Sequence, residues 1–421
     1  MTDMQKRIDL IRKTLTQDYM GMYREAGGEL KYPFLTPGSE SYADVLWDWD
    51  SYFSDVALRQ ILQDAGDEEE KAQAVPYERG CILNMLEKQS EGWVPIAISR
   101  GPIDVFARPQ VKYSTNMHKP VLAQHAAFLA KMSGDAEWLR PRFLDLQMFI
   151  NGYRNHQRDA ATGLYYWIDD FAIGVDNDPC TFYRPNCSSG SIYLNCLMYR
   201  ELLAMGELCD MLGLDEVSAF HKKDAEALKA AIREHCWDDR DGFFYSVDLN
   251  LRPVEKDNWL HAGQPRDWNC LIQRIGVWSG FMGLWSGVAT EEMAQRVVEE
   301  HYRNEKTFCA PYGVRTLSKM EKMYNLRGSS NPSSWLGPVW GISNYLTFRG
   351  MVKYGFEKDA KDLCEKTVRL FGEDLERNGV LHEYYQPENG MGILNPGFQN
   401  WNYLVLNMIA WLEGRDVVWE Y

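Results

Sequence analysis

The sequence predicts an all-α fold, an (α/α)6 barrel: six helical hairpins closed into a ring, with long loops and short β-hairpins building a site at one end. Three observations carry this. Apolar residues recur at helical spacing in twelve segments. Six long, aromatic segments interrupt them. No Pro-, Gly- or Ser-rich linker divides the chain into blocks, so residues 1–421 read as one domain.

The first segment, 5–22, steps Ile8, Ile11, Leu15, Tyr19 and Met22 along one helix face. Helices are expected next over 49–64, 71–90, 118–133, 137–158, 188–213, 216–236, 275–287, 290–303, 337–355, 357–375 and 399–413. In the penultimate one, Phe356, Ala360, Leu363, Thr367 and Leu370 repeat the stripe. Pro338 suits the first turn of the 337–355 helix, where a missing N–H costs nothing. The connections fall at 27–48, 91–117, 159–187, 238–274, 304–336 and 376–398. Loops this long in a compact domain usually carry function. Thr162-Gly163-Leu164-Tyr165-Tyr166, Asp241-Gly242-Phe243-Phe244-Tyr245 and Asn378-Gly379-Val380-Leu381-His382 each read as a Gly turn entering a hairpin. No fixed 34- or 40-residue period appears, which disfavours a helical repeat scaffold.

Charge narrows the partners. Lys and Arg number 45 against 60 Asp and Glu, a net −15. That argues against nucleic acid and anionic membrane surfaces. Met1 to Leu15 lacks an apolar signal core, and no stretch approaches a membrane span. Nine cysteines without a CxxC pair read as reduced thiols in a cytoplasmic protein. The eight histidines show no ligand spacing, and the nucleotide and nucleophile-elbow motifs are missing, so neither metal nor cofactor is expected. Fifteen Trp and 23 Tyr suit a pocket for a flat, polyhydroxylated molecule. The expected partner is a small carbohydrate; the oligomeric state is left open.

Carboxylates among rings are the remaining chemistry. Trp47-Asp48-Trp49-Asp50-Ser51-Tyr52-Phe53 offers a carboxylate between indoles, or equally an Asp50 N-cap with Trp49 as its staple. Gly174-Val175-Asp176-Asn177-Asp178-Pro179 is a loop carboxylate pair or a plain Asx turn. His382-Glu383-Tyr384-Tyr385-Gln386-Pro387-Glu388-Asn389-Gly390 is a desolvated acid among rings or a surface strand. Trp335-Leu336-Gly337-Pro338-Val339-Trp340 leads into Asn344-Tyr345-Leu346.

As an ordered set these segments resemble the inverting α-glycosidases of glycoside hydrolase family 63, and more distantly the trehalases of family 37. Trp49-Asp50-Ser51-Tyr52-Phe53 is similar to WDSxF, the Asp176 segment to SGMDNSP, and Pro311-Tyr312-Gly313 with Gly337-Pro338-Val339-Trp340 to PYG…WRGPVW. Glu383-Tyr384-Tyr385-Gln386-Pro387 is similar to ENYNP, and His118-Lys119-Pro120-Val121-Leu122 to the substrate-loop segment QPPVL. Ile173, Leu336 and Asn400 depart from the usual Ser, Arg and Gly. The length resembles the compact bacterial members, such as mannosylglycerate and glucosylglycerate hydrolases.

The resemblance implies hydrolysis with inversion of a small α-glucoside or α-mannoside. Asp176 is then the general acid and Glu383, 207 positions later, the general base. It puts Trp47, Trp49, Asp50, His118, Lys119, Trp340, Tyr385 and Trp401 around the sugar. Arg100, Arg108, Lys112 and Lys119 are cations for an anionic aglycone such as glycerate, or else solvated loop charges. An acid must hold its proton, so Asp176 is expected in the more apolar surroundings, and Glu383 among donors or water. The rivals are a sugar epimerase, a lyase or uronyl hydrolase on the same toroid, and a non-catalytic carbohydrate-binding protein.

Overall fold

A computed structural model describes residues 2–101, 111–251, 266–327 and 333–421. Twelve α-helices are present among them: α1 Asp3–Asp18, α2 Asp48–Ala65, α3 Glu68–Glu87, α4 Leu122–Ser133, α5 Phe143–His156, α6 Ile192–Met211, α7 Asp215–His235, α8 Met282–Ser286, α9 Glu291–Arg296, α10 Gly341–Lys353, α11 Glu357–Asn378 and α12 Val405–Leu412. The even-numbered helices form a closed inner ring, α2 against α4, then α6, α8, α10, α12 and back to α2. Odd-numbered helices pack outside: α1 on α11 and α12, α3 on α2 and α4, α7 on α6, α11 on α10. This is the (α/α)6 barrel.

Composition decides which helix lies in which ring. Inner α6 is buried almost throughout, from Ile192 to Cys209. Outer α7 buries only Ser218, His221, Ala225, Leu228, Ala231 and Ile232, a single stripe at three- and four-residue steps. Inner-to-outer links are short. Gly66 joins α2 to Asp67 with φ +70, and Asp67 caps α3 by accepting the Glu69 and Glu70 N–H groups. Outer-to-inner links are the long ones, so all six lie at the N-terminal ends of the inner helices.

Several boundaries differ from the sequence reading. Helix α4 begins at Leu122, because the His118 N–H donates to the Val94 carbonyl and the Lys119 N–H to Asp48. Val339–Trp340 is a strand paired with Tyr384–Tyr385, so α10 starts after it and Pro338 lies outside the helix. The N-cap of α2 is Trp47, not Asp50; Asp48 and Asp50 occupy its first turn. The Asp241-Gly242 hairpin forms, pairing Trp237–Asp238 with Phe243–Phe244. Gly379 instead ends α11 in the left-handed conformation, φ +71, where a side chain would be strained. All nine cysteines are free thiols. Among the described residues, no helix is long and apolar enough to cross a membrane.

Candidate active site

A cavity of about 660 Å³ opens at the loop-rich end. Its floor comes from inner-helix starts: Trp49 and Asp50 of α2, Lys119 ahead of α4, Trp340 ahead of α10, and Trp401 in a turn of 3-10 helix leading to α12. The loops add Tyr42, Trp47, Ile96, Asp169, Asp170, Phe171, Asp176, Phe182, Trp335, Glu383 and Phe398. Asp176 and Glu383 therefore line one cavity.

Indoles form its wall. Trp335 stacks on Trp340 at 4.1 Å and 12°, and Trp340 on Tyr384 at 4.8 Å and 19°. Trp401 meets Trp49 edge-on at 5.0 Å. Such rings offer flat apolar faces to sugar C–H groups, while carboxylates between them accept hydroxyl hydrogens.

Asp176 follows a tight turn. Gly174 has φ +89, and a Cβ there would lie 2.6 Å from Lys119 Cε and 3.0 Å from Trp49 Cζ2. Only glycine lets this backbone rest on the floor. Asn177 ties the loop to the chain carrying the indole wall, its Oδ1 accepting the Trp335 backbone N–H at 2.7 Å. Asp178, the other carboxylate of this loop, is buried outside the cavity lining and accepts the Cys180 N–H at 2.9 Å.

Glu383 sits deeper. It is 4% exposed, whereas Asp176 is half-buried. Tyr42 donates its hydroxyl to Glu383 Oε1 at 3.1 Å, and the Asn395 amide donates to Oε2. Asn395 also donates to the Tyr42 oxygen at 3.1 Å and accepts from Ser41 at 3.0 Å. Leu394 and Asn395 hold φ +59 and +43, a left-handed turn that costs of order 1–3 kcal/mol per non-glycine residue. The turn returns the Asn395 amide to the carboxylate. Burial pushes the Glu383 carboxyl up to about 7, against these two hydrogen bonds, and the nearby Asp176 charge adds to the rise. The expectation that the acid would be the more buried is thus reversed: Asp176 rides an opening loop, while Glu383 is roofed by Tyr42 and Asn395. Donors around Glu383 were expected and are present. Glu388, five residues along the same segment, lies outside the cavity lining and pairs with Arg315 at 2.7 Å.

Asp48 and Asp50 share the first turn of α2, where the helix dipole favours negative charge. Asp48 is consumed by Lys119, whose Nζ donates to its two oxygens at 3.0 and 2.9 Å. Asp50 accepts the Asn400 amide at 2.6 Å. Burial, then the Asp48 charge, pushes its carboxyl up to about 8. Asn400 has φ +45, so the residue standing where glycine is common occupies backbone that asparagine tolerates better than most. Leu336, in place of the usual Arg, is buried in an apolar cluster with Cys180, Val277 and Leu317.

Two sequence-predicted site residues fall outside the lining. The His118 ring is buried, its Nδ1 2.6 Å from the Lys119 carbonyl, and desolvation pushes its pKa down to about 4. Tyr385 is fully buried, donating to Asp374 at 3.0 Å and accepting the His382 N–H at 2.8 Å. Neighbouring strand residues point to opposite sides; Tyr384 meets the indoles, so Tyr385 faces the core. The loop cations fare similarly. Arg100 pairs with Asp44 at 3.5 Å and Lys112 with Glu91 at 3.2 Å, neither in the lining. Arg108 lies outside the described residues. Among the described residues, no group of three or more His, Cys, Asp or Glu is placed to hold a metal ion.

Sequence reasoning missed Tyr42, Asn395, Asp169, Asp170, Phe171, Phe182 and Phe398. The Asp169-Asp170 pair in a long aromatic loop was a usable signal; Tyr42 and Asn395 sit in no motif or periodic pattern.

A family model described as mannosylglycerate hydrolase MGH1-like glycoside hydrolase domain matches residues 43–402. Mannosylglycerate hydrolase MGH2 of Selaginella moellendorffii is 30% identical, over 96% of this chain and 85% of that protein. A cytosolic neutral trehalase of Kluyveromyces lactis is 23% identical over 59% of this chain but only 31% of its own length. A mannosylglycerate hydrolase of Rubrobacter radiotolerans is 26% identical over 53% of this chain and 44% of its own length. The chain thus spans under half the length of these last two relatives. Among solved structures, the GH63 mannosylglycerate hydrolase of Thermus thermophilus, in complex with Tris and D-glycerate, superposes with TM-score 0.69 at 19% identity. That match covers 96% of this chain and all of the other, and shows a shared fold.

Proposed function

The chain belongs to the mannosylglycerate hydrolase MGH1-like glycoside hydrolase family, and on that premise we propose that it hydrolyses a small α-glucoside or α-mannoside with inversion. The observation that carries the mechanism is that Asp176 and Glu383 line the same indole-walled cavity. Asp176 protonates the glycosidic oxygen as the bond to the anomeric carbon breaks. Glu383 takes a proton from water arriving on the opposite face, and the new hydroxyl has inverted configuration. The Asp176 charge adds to the rise of the Glu383 carboxyl, whose chief cause is burial. Trp47, Trp49, Trp340 and Trp401 cover the sugar faces, and Asp50 accepts from its hydroxyls.

We read residues 1–421 as one catalytic domain, cytoplasmic, working without metal or cofactor. The relatives' names nominate mannosylglycerate as the first compound to assay, and the sequence resemblance adds glucosylglycerate. The epimerase reading needs histidines at the sugar, and His118 and His382 are outside the cavity lining. Proton NMR of the first product formed from an α-glycoside tests the proposal. The β-anomer should appear before mutarotation; the α-anomer appearing first would exclude inversion.

A further inference from the structure

This inference rests on the proposal that the cavity holds the sugar ring. Two of its lining groups, Asp50 and Trp401, lie near opposite ends of the chain, and one residue holds both. Asn400 is fully buried in the turn of 3-10 helix ahead of α12. Its Nδ2 donates to Asp50 Oδ1 at 2.6 Å. Its Oδ1 accepts the Trp401 backbone N–H at 2.7 Å and the Ser54 hydroxyl at 3.2 Å. A backbone N–H can only donate, so the amide has one orientation: oxygen toward Trp401, nitrogen toward the carboxyl. Asp50 and Ser54 stand four residues apart on one face of α2, so the helix grips the amide at both its oxygen and its nitrogen.

The backbone is bent to allow this. Asn400 has φ +45, and Gln399 before it has φ −89 and ψ −97, both outside the broad β and right-handed α regions. Such backbone persists where its surroundings over-determine it, and it gathers at functional sites. Here the Pro37 carbonyl accepts the Gln399 N–H at 2.9 Å, and the Asp18 carbonyl accepts the Gln399 side-chain amide at 2.7 Å. Asn402, on the same turn, donates to the His382 carbonyl at 2.7 Å, one residue before Glu383. The turn therefore registers Asp50 and Trp401 against the base.

We infer that Asn400 is a positioning residue that sets which sugar the cavity accepts. With Oδ1 held by the amide, the Asp50 carboxyl cannot turn about its terminal bond, and it meets a ring hydroxyl from one direction. A hydroxyl of opposite configuration at that carbon points away and leaves a buried polar group unpaired. Without the amide, the carboxyl would turn to meet either epimer.

The test uses four α-glycosides of glycerate, with D-glucose, D-mannose, D-allose or D-galactose as the sugar. Relative to glucose, these invert C2, C3 or C4 in turn. In wild type, one of the three epimer pairs should differ by about 100-fold in kcat/KM. Asn400→Gly keeps φ +45 accessible and removes the amide. It should shrink that ratio by about tenfold, through a loss on the better epimer and little change on the poorer. Ser54→Ala, which removes one of the two donors to the amide oxygen, should shrink it by about threefold, and it decides alone if Asn400→Gly does not fold. A merely structural role would lower all four values by a common factor. Unchanged ratios in a folded variant overturn the inference, as do wild-type ratios near one. Hydrolysis of none of the four by folded wild type would remove the hydrolase mechanism and this inference with it, whereas unchanged ratios in an active enzyme remove the inference only.

Discussion

Replacing Glu383 by Gln should abolish turnover and stabilise the fold at alkaline pH. The carboxyl rises from 4.5 to about 7, chiefly through burial. Ionising it inside the folded protein is therefore harder than in the unfolded chain by roughly 3 kcal/mol at 1.36 kcal/mol per unit. The folded state binds the proton more tightly, so the stability this confers is complete below about pH 4.5. It is lost as pH climbs through about 7. Gln keeps the shape and carries no charge at any pH, though its one amide oxygen replaces two acceptor oxygens, so one of the Tyr42 and Asn395 donors faces an NH2 group. Urea denaturation of both proteins at pH 5 and pH 8.5 measures the effect. The variant's stability relative to wild type should rise by about 2.5 kcal/mol between pH 5 and pH 8.5. A difference that ignores pH, or a wild type more stable at pH 8.5, would refute the assignment of Glu383 as a carboxylate held in a costly ionised state.

Tyr42→Phe removes a donor that favours the ionised form of Glu383. The acidic limb of kcat/KM should then move up by as much as about one pH unit, and a limb that stays or moves down counts against the role of Tyr42. Lys119→Met strands buried Asp48 and should cost about 3–5 kcal/mol in denaturation, most of it recovered when Asp48→Asn is added; equal losses in both would mean the pair is not the cause. Gly174→Ala drives a methyl to 2.6 Å from Lys119 Cε and moves the Asp176 loop. Turnover should fall about 100-fold while substrate affinity changes little, and unchanged turnover would show the turn to be slack. Asp176→Asn should lower kcat by roughly 10²–10⁴-fold, with binding retained in calorimetry; a fully active variant removes the acid assignment.

The sequence by itself determined the twelve helices and the placement of long aromatic connections, because both are written in neighbours three and four positions apart. A stripe such as Ala225, Leu228 and Ile232 declares one buried face wherever the helix ends up. It also held Asp176 and Glu383, through segments whose resemblance is local. Only the tertiary structure decided what those residues face. Closing the ring brings positions 207 residues apart into one cavity, roofs Glu383 with Tyr42 and Asn395, and leaves Asp176 the more open. It also spends Lys119 on Asp48, 71 residues away, and turns His118 and Tyr385 into the core. Pairings between distant segments depend on the whole barrel closing, and no local spacing records them. A charge that looks available along the chain is therefore free or consumed only once its long-range partner is in place.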